Sequence, residues 1–141
     1  MNFVAPPDLT EQVARALKED IGSGDVTAAL VPADRMARAG VVTRETAVLC
    51  GRPWFDATYA QLSRDVRCEW RIAEGADVKA GELLCTLAGP ARALLTGERT
   101  ALNFLQTLSA TATAARRFVT AITGTGCQIL DTRKTLPGLR T

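Results

Sequence analysis

The chain has 141 residues, 47% of them apolar, with 17 basic and 15 acidic side chains and a net charge of +2. That is enough apolar material for one folded core but too little chain for a closed α/β barrel of about 250 residues, and the charge balance excludes an electrostatic grip on nucleic acid. No apolar run approaches a membrane span, and residues 1–7 lack the layout of a signal peptide, so a cytoplasmic protein is expected.

Asp8-Leu9-Thr10-Glu11 reads as a helix start, with Asp8 as N-cap and Glu11 as its capping-box partner. Leu9, Val13 and Leu17 then recur at helical spacing until Gly22. The acids Asp20 and Asp25 flank a glycine turn and are read as capping and turning the chain rather than holding a metal. From Met36 to Cys50 the chain turns Val- and Thr-rich and strand-like. Pro53 marks the start of a second helix, whose stripe of Trp54, Phe55, Thr58, Tyr59 and Leu62 is expected to be core. Val66, Cys68, Trp70 and Ile72 alternate with polar residues as a half-buried antiparallel strand does, and Leu83, Cys85 and Leu87 repeat the pattern. These 90 residues predict helices on one face of an antiparallel sheet, an α+β sandwich.

After Gly89-Pro90 the chain is helix-compatible to Ile122, with a bend expected near Ser109-Ala110-Thr111. Gln128-Ile129-Leu130 then reads as a short buried strand with Asp131-Thr132-Arg133-Lys134 at its tip, which is how an α/β barrel presents residues at its mouth. The fold class expected is an α+β N-terminal sandwich domain over residues 1–111. The first helix and strand of an incomplete α/β barrel follow over residues 112–141.

The chemistry is narrowed by what is missing. There is no histidine, so His-dependent nucleophilic catalysis and His-ligated metal sites are excluded from this chain. The four cysteines, at 50, 68, 85 and 127, form no CxxC pair and are read as reduced thiols. Gly75, Val78, Gly81 and Leu84 have the strand-turn-strand rhythm of biotinyl and lipoyl carrier domains, but Lys79 lacks the flanking residues of a modified lysine. An arginine such as Arg99 on a Leu-rich helix ordinarily reaches to water or pairs with a nearby acid, here Glu98 or Glu82.

Two strings change that reading of Arg99. Glu98-Arg99-Thr100-Ala101-Leu102-Asn103 on the long helix, and Asp131 to Arg140 with Arg133 34 positions after Arg99, resemble the quinolinate phosphoribosyltransferase family. Lys18-Glu19-Asp20-Ile21-Gly22, Gly24-Asp25-Val26-Thr27, Cys50-Gly51 and Leu94-Leu95-Thr96-Gly97 fit the same family, so the resemblance covers nearly the whole chain.

The resemblance implies transfer of phosphoribosyl from phosphoribosyl pyrophosphate (PRPP) to quinolinate with decarboxylation, giving nicotinate mononucleotide, carbon dioxide and pyrophosphate. Mg²⁺ accompanies PRPP in that family and is held by residues beyond this chain. The family works as a homodimer with shared active sites, so Arg99 would reach quinolinate in trans, while Thr132, Arg133 and Lys134 bind it at the barrel mouth. Quinolinate is a flat dianion, and a guanidinium fork matches a carboxylate through two parallel hydrogen bonds. The family's His-Arg pair, second lysine, acidic residues and phosphate loop have no counterpart here, so a catalytically incomplete part of a longer enzyme is expected. A molybdenum-transport-linked or nicotinate-using paralogue, or a non-catalytic dimerisation module, are the other readings.

Overall fold

The computed structural model describes residues 4–130, 132 and 134. Helix α1 spans Leu9–Ile21 and ends at Gly22, burying Val13 and Leu17. Its start differs from the expected capping box: Asp8 makes no cap bond, and its Oδ1 accepts from Nε2 of Gln12 instead. One turn of helix that the sequence pattern did not reveal, α2 (Val26–Ala29), follows at once. Asp25 caps it, accepting the Ala28 amide at 2.9 Å.

Strand β1 (Met36–Val42) pairs antiparallel with β5 (Leu83–Pro90), and β3 (Arg67–Trp70) pairs antiparallel with the other edge of β5. Two short strands, β2 (Ala47–Val48) and β4 (Asp77–Val78), form a separate antiparallel ladder. β5 is thus the central strand of its sheet and carries the most buried residues of the strands. Its simple alternation is broken where Val41 opposes Cys85 but Val42 opposes Leu83. The extra residue, Leu84, is turned into the core beside Cys85 and leaves Leu83 exposed, as a β-bulge requires.

Helix α3 (Arg52–Leu62) and helix α4 (Ala91–Ala121) cover the sheet. Phe55 and Tyr59 of α3 meet Leu94, Ala101 and Leu105 of α4 above Leu84, Cys85 and Leu87 of β5. Phe55 lies edge-on to both Tyr59 and Trp70 at 5.2 Å, contacts worth about 0.5–1.5 kcal/mol each beyond area burial. A second cluster joins Val13 and Leu17 of α1 to Trp54, Phe104 and Leu108. The entry to α3 runs close to α4 at Gly51, whose φ of +110° favours glycine; a Cβ there would lie 3.1 Å from Leu108 and 3.3 Å from the Leu105 Cα, a tight fit.

α4 stays helical through Ser109-Ala110-Thr111. Ser109 of that string, and Thr113 one turn on, bind backbone outside the helix. Ser109 Oγ accepts the Cys50 amide and donates to the Cys50 carbonyl, and Thr113 Oγ1 accepts the Val48 amide at 2.9 Å. They satisfy the backbone of β2 and the turn after it.

The expected buried strand at Gln128-Ile129-Leu130 is not formed. No ladder includes it, and Ile129 and Leu130 are 49% and 76% exposed. A strand exists only by pairing, and among the described residues nothing pairs with this one. Of the barrel part of the expected fold class, the described residues show the C-terminal end of α4 and, after it, no strand. The α+β sandwich stands as expected.

Candidate active site

α4 carries Arg99 on its solvent-facing side, next to buried Thr100 and Ala101. The side chain is 75% exposed, yet it is tethered: Nη1 donates to Oδ1 of Asp20, near the end of α1, at 2.8 Å. The other carboxylate oxygen of Asp20 accepts from the Thr100 hydroxyl at 3.2 Å. The partner of Arg99 is thus neither Glu98 nor Glu82 but an acid 79 residues away. Among the described residues, Nε and Nη2 of Arg99 make no hydrogen bond, which leaves one edge of the guanidinium for an incoming carboxylate.

Arg99 lines a cleft of about 760 Å³ between α1 and α4. Trp54 and Phe104, stacked at 6.5 Å, supply an aromatic wall, and Asn103 stands one helical turn beyond Arg99. Aromatic faces with a few convergent polar groups suit a flat, charged heterocycle. A larger cleft of about 1130 Å³ lies between β1 and α4; its lining includes Arg38, Arg44 and Arg117 but not Arg99.

Of the other expected site residues, Thr132 and Lys134 lie in the exposed segment after α4, where the Lys134 amide donates to Thr132 Oγ1 at 3.3 Å. Arg133 lies outside the described residues. From Arg99 to the end of α4 at Ala121 the helix rises by roughly 33 Å. Arg99 and the segment holding Thr132 and Lys134 therefore leave α4 far apart along its axis.

The acids of the glycine turn are both occupied. Asp25 accepts from the Ala28 amide and from the Thr96 hydroxyl, which together hold its carboxyl below the ordinary value. Among the described residues, no group of three or more Asp, Glu or Cys side chains could hold a metal ion. Cys50 and Cys68 are unsuited to nucleophilic work. Burial, then the nearby Glu74 carboxylate, pushes Cys50 up to about 11; contact with Cys85, then burial, pushes Cys68 up. No helix among the described residues is long and apolar enough to cross a membrane.

An antiparallel sheet covered by helices, with an arginine-lined cleft beside them, defines an α+β sandwich domain. Residues 25–109 match the quinolinate phosphoribosyl transferase N-terminal domain, and residues 111–141 match the C-terminal domain of the same family. The chain belongs to the quinolinate phosphoribosyl transferase family. It is 39% identical over 137 residues to nicotinate-nucleotide pyrophosphorylase (carboxylating) of Mycobacterium leprae, covering 92% of this chain and 47% of that protein. It is 36% identical over 142 residues to the rat (Rattus norvegicus) protein of the same name, covering 99% and 47%. The solved structure of nicotinate-nucleotide pyrophosphorylase from Francisella tularensis superposes with a TM-score of 0.91 at 38% identity, over 96% of this chain and 49% of that one. The chain spans about half the length of these relatives.

Proposed function

We propose that this chain supplies the quinolinate-facing N-terminal domain of an enzyme that transfers phosphoribosyl from PRPP to quinolinate with loss of carbon dioxide. The products are nicotinate mononucleotide and pyrophosphate. The observation that carries the reading is Arg99: an exposed cation in a family-matched position, tethered at one nitrogen, that lines an aromatic-walled cleft. A guanidinium edge and a substrate carboxylate form two parallel charge-assisted hydrogen bonds. Holding the pyridine ring in one orientation removes part of the entropic barrier to attack by its nitrogen on the anomeric carbon. A fixed cation beside the ring also stabilises charge that develops as the 2-carboxyl group leaves.

Thr132, Arg133 and Lys134 complete the substrate site in this reading, with the domain boundary near residue 111, where the two family matches meet. Two copies share each site: Arg99 of one subunit serves the substrate held by Thr132, Arg133 and Lys134 of the other. The span of α4 between Arg99 and the segment that follows it favours this arrangement over a site built within one chain.

The test mixes two variants of the complete polypeptide carrying this sequence, Arg99→Ala and Arg133→Ala, each inactive alone. Random assortment into dimers gives one intact site in each mixed dimer, so roughly a quarter of wild-type activity returns. No recovery rules out sharing. Release of pyrophosphate with nicotinate as readily as with quinolinate would transfer the assignment to a nicotinate-using paralogue.

A further inference from the structure

We infer that Asp20 is a positioning residue for the substrate-binding arginine, a role that rests on the reading of Arg99 given above. An arginine that is 75% exposed has no packing to select one of its many rotamers. Asp20 selects one. Its own side chain is only 18% exposed, and its two oxygens are divided between two adjacent residues of α4. Oδ2 accepts from the hydroxyl of Thr100, a residue that is 4% exposed, and this bond fixes the plane of the carboxylate. Oδ1 then faces Nη1 of Arg99 at 2.8 Å.

Helix stability does not account for an acid at this point. Asp20 lies in the last turn of α1, where the helix dipole disfavours negative charge. Nor is Asp20 a helix cap, since the C-terminal bond of α1 runs from the Gly22 amide to the Lys18 carbonyl. What the carboxylate gains is the guanidinium. By engaging Nη1 alone it leaves Nη2 and Nε without a hydrogen bond among the described residues, beside a cleft that both residues line. The arginine is thus ordered before the substrate arrives, which lowers the cost of binding.

The test uses the complete polypeptide carrying this sequence and compares Asp20→Asn, Asp20→Ala and Arg99→Ala. Asp20→Asn preserves the acceptor for Thr100 and removes the charge that holds Arg99. We expect it to raise the KM for quinolinate roughly tenfold, with the KM for PRPP and the melting temperature nearly unchanged. Asp20→Ala should raise the quinolinate KM further. In an Arg99→Ala background, Asp20→Asn should add no further change, because the group it positions is gone. The inference is overturned if Arg99→Ala raises the quinolinate KM while Asp20→Asn leaves it at the wild-type value. It is also overturned if Asp20→Asn lowers the melting temperature and leaves both KM values alone, since the acid is then structural. Should Arg99→Ala itself leave the quinolinate KM unchanged, the reading of Arg99 fails and this inference falls with it.

Discussion

The carboxylate of Glu74 closes the start of helix α3 from outside that helix: Oε1 accepts the Gly51 amide at 2.7 Å and Oε2 the Arg52 amide at 3.1 Å. Helix starts leave amides without intrahelical partners, and here the acid in the turn after β3 supplies what a local N-cap would. Arg52 returns the connection, donating Nη1 to the Ile72 carbonyl and lying 4.8 Å from the Trp70 ring centre. Glu74→Ala removes the acceptors of two partly buried amides. It should destabilise the protein by about 1–3 kcal/mol in urea denaturation, with Glu74→Gln intermediate. Equal stability of all three would show that water satisfies those amides.

The same acid controls a thiol. Cys50, held up to about 11 by burial and by Glu74, has almost no thiolate at pH 8, whereas Cys127 is exposed. Alkylation at that pH should label Cys127 first and Cys50 slowly, followed by mass spectrometry. Glu74→Gln should accelerate Cys50 by removing the charge that opposes its ionisation. Cys85, which is fully buried, should label only on unfolding. Early labelling of Cys50 in the unsubstituted protein would contradict this ordering.

Gly97→Ala tests the contact between α3 and α4. A Cβ at Gly97 would stand 2.7 Å from Tyr59 Cε1 and 2.9 Å from Leu62 Cδ1. Replacing glycine in a helix gains about 1 kcal/mol of propensity, while overpacking a filled core costs about 1–3 kcal/mol. Tyr59 is 4% exposed with its ring against Phe55, so it has little room to yield. The overpacking term should win, and thermal melting should show net destabilisation. A rise in melting temperature would mean that α3 and α4 can separate freely.

Asp25 gives a pH signature. Its carboxyl sits below its ordinary value of 3.8, first through the Ala28 amide and then through the Thr96 hydroxyl. A depressed folded-state value stabilises the fold above the unfolded value, and that contribution disappears as pH falls through the lower one. The stability gap between wild type and Asp25→Asn should therefore be widest near neutral pH and close as the pH drops below 3.8. Denaturation curves recorded from pH 7 to pH 3 decide this; a gap independent of pH would assign the effect to the shape of the cap rather than its charge.

Periodicity in the sequence was sufficient for α1, α3, α4 and β3, because each shows its buried face locally: Val13 and Leu17, Trp54 through Tyr59, Leu94 through Leu105. It was also sufficient to single out Arg99, since the surrounding string resembles the family to which the chain belongs. Local pattern failed wherever the deciding partner was distant. The bulge at Leu84 depends on how β1 meets β5, and Ile129 and Leu130 are exposed because no ladder partner for them lies among the described residues. The cap on α3 depends on an acid 23 residues onward.

Composition, helical and strand spacing, and the motif around residue 99 are thus properties that the amino-acid order determines by itself, because short-range sterics and burial act along the chain. The partner of Arg99 was decided only in three dimensions. Asp20 reads in the sequence as one acid beside a glycine turn, and it becomes the anchor of the candidate site because α1 packs across α4 and brings two charges 79 residues apart to 2.8 Å. A charge pair of that kind has no periodicity; packing alone creates it.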